Sequence, residues 1–167
     1  MAYDAKAIAN YFLELAKQQG KTIDPMGIQK FVYFAHGWSL GLFGKPLIDD
    51  LIEAWDYGPV IRSLYKEFRE FGNGPITRLA RNYEIKDGKI VNVRVPSIDD
   101  YKDYRNHEGI KSLLNRVWEV YRGLSSIQLS NITHKSGSPW SIARSQGKEV
   151  IDDELMRSYF STLAGRT

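Results

Sequence analysis

The sequence predicts a mainly α-helical fold, a single domain over residues 1–167 with a small β-hairpin or short antiparallel sheet. Two observations carry this. Apolar residues recur at three- and four-residue spacing along most of the chain, the period of helices buried on one side. One stretch, NYEIKDGKIVNVRV, instead shortens its period around an Asp-Gly pair. The length suits one domain with a single sizeable core.

Asp4 is a natural N-cap, and Ala5, Ile8, Ala9, Phe12, Leu13 and Ala16 follow at helical spacing until Gly20 ends the run. Asp24-Pro25 starts a second helix with a cap residue and then a proline, and Ile23 and Ile28 stand where a hydrophobic staple puts them. That helix runs to about Phe43, with Gly44 beyond. It is apolar on nearly every side from Phe31 onward, which places it at the centre of the fold. Residues 51–55 are too short and apolar for a linker and fit a brief strand. Gly58-Pro59 repeats the cap-plus-proline start, and Ile61, Leu64, Tyr65, Phe68 and Phe71 line one face of the helix it opens, which Gly72 terminates.

In residues 82–95, Ile85 and Ile90 flank Asp87-Gly88, a type I′ hairpin signal. Two strands alone are marginal, so this ribbon is expected to lie against helices or to pair with residues 51–55. Helical spacing returns with Ile110, Leu113, Leu114, Val117 and Tyr121. Ser125 and Gln128 then form a capping box and Leu124 with Leu129 a staple for a short helix. Ser138-Pro139 starts another. The last begins at Asp152, with Leu155, Met156, Tyr159, Phe160 and Leu163 on one side.

Composition excludes several classes. There is no cysteine, hence no disulfide and no thiolate zinc site. The net charge of +3 is spread over mixed acidic and basic stretches, so a nucleic-acid partner is not expected. No leader pattern is visible, and the most apolar run, FVYFAHGWSLGLFG, is too short to span a bilayer; a cytoplasmic protein with no membrane partner is expected. No phosphate-loop, dinucleotide or metal-ligand spacing occurs, and no cofactor or metal is implied.

A catalytic reading would need a constellation around His36, His107 or His134. His36 falls within the most buried-looking helix and fits a hydrogen-bonded core histidine. His107 sits among charged residues and looks solvated. His134 belongs to SSIQLSNITHKSGSPW, where one helix stops and another starts. There Ser138 and Pro139 serve as cap and first residue, and Trp140 packs down as an anchor. The stretch thus reads as an architectural corner; the alternative is that His134 and Trp140 line a recognition pocket. Nothing argues for an enzyme. What remains is aromatic and arginine content of the kind that carries energy at protein interfaces: Trp55, Tyr57, Arg62, Tyr65 and Arg69. Tyr57 and Arg62 lie outside the apolar stripe and should be exposed; Trp55 and Tyr65 divide evenly between core and surface.

The run KFVYFAHGWSLGLFGKPLIDDLIEAWDYGPVIRSLYKEF resembles the opening motif of the Panacea-domain proteins, also called SocA-like, phage-associated antitoxins, and LSNITHKSGSPW resembles their second motif. The matching residues are Tyr33, His36, Trp55, Gly58, Pro59, His134, Pro139 and Trp140. The resemblance implies a helical fold and a cytoplasmic antitoxin in a two-gene, often prophage-borne system, whose partner is the toxin encoded by the adjacent gene. Some members carry an added DNA-binding domain, and this sequence is read as having none. Direct neutralisation by protein contact is the expectation, with Tyr57, Arg62, Tyr65 and Arg69, and then Trp55 and His134, as contact residues. An adaptor that hands the toxin to a protease and an enzyme that reverses or modifies toxin action are the alternatives. Spacing assigns Gly58, Pro59 and Pro139 to backbone shape.

Overall fold

The computed structural model describes residues 2–165. In chain order they form α1 (Ala5–Gln18), α2 (Pro25–Phe43), β1 (Ile52–Trp55), β2 (Gly58–Ile61), α3 (Arg62–Phe68), β3 (Asn82–Lys86), β4 (Lys89–Arg94), α4 (His107–Tyr121), α5 (Ser126–Thr133), α6 (Pro139–Ser145) and α7 (Asp153–Leu163). The fold is mainly α, with two small antiparallel two-stranded sheets.

Helix α2 is the axis. The Asp24 carboxylate accepts from the Gly27 N–H at 2.7 Å, Pro25 opens the first turn, and Gly44 closes the helix in the left-handed region. Its residues are buried on every side, with α1, α4, α5 and α7 packed around it. Two glycines let α7 approach. A Cβ at Gly37 would lie 2.2 Å from the Phe160 ring, and one at Gly41 would lie 2.7 Å from the Phe160 backbone. Among the described residues no helix is long and apolar enough to cross a membrane.

The cap signals hold for α1, α5 and α6. Asp4 accepts from the Lys6 N–H, Ser125 and Gln128 form their capping box, and Ser138 accepts from the Ser141 N–H. Helix α7 follows Asp152, although that side chain makes no cap bond. Its apolar side buries Met156 and Phe160, while Leu163 is exposed.

Three expectations are corrected. Gly58-Pro59 opens no helix. It begins β2, which pairs with β1 from Trp55↔Gly58 to Ile52↔Ile61, and α3 starts only at Arg62. Beyond the closing pair of a two-residue hairpin comes a pair that needs no ladder bond, so Pro59 opposite Ala54 gives up nothing by lacking its N–H.

The β3–β4 ribbon turns as expected, with positive φ at Asp87 and Gly88. However, it neither pairs with β1 nor lies under helices: every residue from Tyr83 to Arg94, Ile85 and Ile90 included, is exposed. Strand β1 is already flanked by β2 and by backbone bonds from Ala54 N–H to Glu149 and from Ile151 N–H to Ile52, so no edge is open to the ribbon.

His107 is buried, not solvated. Its Nδ1 lies 2.8 Å from the Tyr3 hydroxyl, within a cluster of Tyr3, Tyr101 and Tyr104 rings. Its charged neighbours in sequence say nothing about Tyr3, which arrives from the other end of the chain.

Candidate functional site

The stretch 125–140 is a corner whose bonds reach across to the β1–β2 hairpin. Ser138 ties stop to start: its hydroxyl donates to the Thr133 carbonyl at 2.7 Å and accepts from Ser141 N–H. His134 caps α5, and its ring stacks on Trp140 at 3.9 Å and 12°. The Trp140 indole N–H donates to the Trp55 carbonyl at 2.7 Å. Arg144 donates to the Ala54 carbonyl at 3.0 Å and pairs with Asp56 at 2.7 Å, while the Ser130 hydroxyl donates to the Tyr57 carbonyl at 2.6 Å. Three carbonyls of one small hairpin are thus held from α5 and α6. The consequence is a fixed two-residue turn that thrusts Tyr57 outward, 72% exposed. Trp140 is half-buried rather than sunk in the core.

The motif residues divide by role. Tyr33 and His36 are buried. His36 Nδ1 accepts from the backbone N–H of Leu47 and Ile48 at 3.2 and 3.3 Å, which fixes the tautomer, and its Nε2–H donates to Asp153 at 2.8 Å. Both ring nitrogens are engaged, as a core histidine requires and a general base does not. Gly58 has φ of 116°, and a Cβ there would meet the Thr133 hydroxyl at 2.8 Å. Pro139 opens α6. His134 has its pKa lowered, first by burial and then by the Lys30 and Arg144 charges; a bond to the Tyr57 backbone works the other way. Its buried Nε2 has no hydrogen-bond partner among the described residues.

Beside the corner opens a cleft of about 1010 Å³ between the first turn of α2, the β1–β2 hairpin, α3 and residues 144–149. Trp55, Tyr57, Arg62, Tyr65 and Arg69 all line it. Trp55 and Tyr65 pack at 4.8 Å and 60°, and the Arg62 guanidinium sits over the Trp55 ring at 5.8 Å. Arg62 also binds Glu53 through both its Nε and an Nη, at 2.9 and 2.8 Å, and the Arg62 contact holds the Glu53 carboxyl below its usual range. Tyr57, Arg62, Tyr65 and Arg69 are exposed, and Trp55 is half-buried. His134 lies behind the turn, not in the cleft lining.

One residue of this region was missed from the sequence. Lys30 is 2% exposed and lines the cleft, and desolvation lowers its pKa to about 8. The signal was available: a lone lysine inside IQKFVYFAHGW, on a helix apolar all round. Among the described residues no group of three histidine, aspartate or glutamate side chains is placed to hold a metal ion.

The chain matches the family model described as "Antitoxin SocA-like, Panacea domain" over residues 28–141, a span that contains α2 from Ile28 onward, the hairpin and the corner. It is 35% identical over 139 residues to Antitoxin SocA from Caulobacter vibrioides (strain NA1000 / CB15N), covering 83% of this chain and 69% of that protein. No solved structure matches it.

Proposed function

The chain belongs to the SocA-like, Panacea-domain antitoxin family, and from that premise we propose that it is the antitoxin of a two-gene system that neutralises its cognate toxin by direct contact, without enzymatic turnover. The family gives the role. The observation that favours contact is the cleft, which gathers five interface-type side chains on one face. The turn held by Trp140, Arg144 and Ser130 projects Tyr57 at its rim.

The engaged nitrogens of His36 argue against its use as a base. Neither histidine of the two motifs faces this cleft as a lining residue. The toxin is taken to be the product of the adjacent gene, and the whole chain to act as one domain.

The test is co-expression with that neighbouring gene, followed by size-exclusion chromatography with mass determination. A co-eluting complex of fixed ratio supports neutralisation by contact. Rescue of growth with no association at micromolar concentration rejects it and moves the weight to a catalytic or protease-delivery role, which toxin levels in cells then separate.

A further inference from the structure

Among the described residues Lys30 has no anionic group within ion-pair distance. It rises from α2, and its ammonium lies against Gly58, where a Cβ would meet Nζ at 3.2 Å. Among the described residues, the acceptor it reaches is the Pro59 carbonyl, at 3.5 Å. An ammonium has three N–H donors, and burying it without a carboxylate is costly. Asp24 is the acid whose charge favours the Lys30 ammonium, but it lies beyond ion-pair distance, and its carboxylate oxygens accept from Gly27 N–H at 2.7 Å and from the Ser126 hydroxyl at 2.9 Å. Among the described residues no ion pair includes Lys30.

The other charges of the cleft sort in the same way. Arg62 is bound to Glu53, Arg144 to Asp56, and Lys148 to Asp152. Of the lining cations, Lys30 and Arg69 are left without an ion pair among the described residues, against Glu149 as the unpaired acid. The surplus is one positive charge in a cleft walled by Val60, Leu64, Met26 and aromatic rings. That suits a single carboxylate on an otherwise apolar or aromatic surface. One surplus charge does not suit a polyphosphate or a nucleic-acid backbone, which would need several unpaired cations.

We propose that Lys30 is the anion-accepting floor of the toxin-binding cleft, and that the toxin inserts one carboxylate there, flanked by apolar contacts to Trp55, Tyr57 and Tyr65. This rests on the contact-neutralisation reading and names the chemistry the partner must present. The cleft as a whole then works as a hot spot, with a desolvated charge at the centre and aromatics around it.

The experiment is a double-mutant cycle on the purified pair. Lys30→Met, which keeps the length of the side chain and removes the charge, is measured for toxin affinity alongside a set of toxin variants in which each Asp or Glu is replaced by its amide. Lys30→Met should weaken binding at least tenfold. One toxin amide variant should lose a similar factor against the wild-type antitoxin and nothing further against Lys30→Met.

If Lys30→Met binds as wild type, or if every toxin variant keeps its full separate loss in the Lys30→Met background, the carboxylate site is refuted while contact neutralisation stands. If Lys30→Met does not fold, the amide series read against wild type alone still decides: no tenfold loss at any single acid rejects the proposal. A wild-type pair that forms no complex overturns the contact reading itself.

Discussion

The indole N–H of Trp140 donates to the backbone carbonyl of Trp55 at 2.7 Å, joining two tryptophans 85 residues apart. The bond couples the α5–α6 corner to the hairpin that presents Tyr57. It recasts the corner as the support of the candidate interface instead of a mere change of direction.

Shortening Trp140 should therefore act on both stability and recognition. Trp140 is half-buried, so Trp140→Ala is expected to cost about 2–3 kcal/mol, below the range for a fully buried tryptophan. Trp140→Phe keeps a ring against His134 and loses the donor, for about 1 kcal/mol. Urea unfolding gives both numbers. An alanine variant as stable as wild type would mean that the corner does not depend on this ring.

Tyr57 and Arg69 make the opposite case. Both are exposed, and neither side chain makes a hydrogen bond or ion pair among the described residues, so Tyr57→Ala and Arg69→Glu should melt like wild type and still weaken toxin binding tenfold or more. Arg62→Glu disturbs the pair with Glu53 as well and should weaken binding with little change in melting temperature, because exposed pairs contribute little. Melting curves and affinities on the same samples separate the two effects. Wild-type affinity in Tyr57→Ala and Arg69→Glu alike would move the interface off this cleft.

These residues show what sequence can and cannot deliver. The starts of α1, α2, α5 and α6, and the glycines that close α1 and α2, are legible because caps, staples and terminal glycines act within a few residues. The start of β2 is not, because Gly58-Pro59 looks locally like a helix start and only the pairing with Ala54 and Trp55 makes it a strand. His107 was misjudged for the same reason: its burial comes from Tyr3, over a hundred residues away. For the candidate site, side-chain type picked out Trp55, Tyr57, Arg62, Tyr65 and Arg69, but their convergence on one cleft is a tertiary fact. Lys30 lies within a helix whose apolar composition signals burial, and which cleft a lone lysine there borders is again a tertiary fact.

His36 offers a direct check on the non-catalytic reading. His36→Ala removes the acceptor for Leu47 and Ile48 N–H and the donor to Asp153, leaving a cavity beside α7. A loss of about 3 kcal/mol is expected. His134→Phe keeps the stack on Trp140 and should retain rescue of growth. A folded His134→Phe protein that binds toxin normally but fails to rescue would point to chemistry at that ring.

Lys30 carries the clearest dependence on pH. Its ordinary pKa of 10.5 falls to about 8 in the fold because burial disfavours the ammonium. Below pH 8 the group is charged in both folded and unfolded chains, so the whole burial cost, about 3 kcal/mol for a shift of this size, weighs on the fold. Between pH 8 and 10.5 the folded chain releases the proton while the unfolded chain holds it, and stability rises with pH. The buried phenols oppose this only higher up: Tyr3, for example, is pushed up to about 12, so ionisation of the unfolded chain past pH 10 lowers stability there. The clean window is pH 8 to 10. Lys30→Met should be more stable than wild type at pH 7, and the two curves should converge as pH climbs through that window, because the substitution removes the cost that deprotonation otherwise relieves. Parallel curves, measured by urea unfolding at each pH, would show that Lys30 finds a compensating partner in the fold, and the carboxylate expected of the toxin would lose its reason.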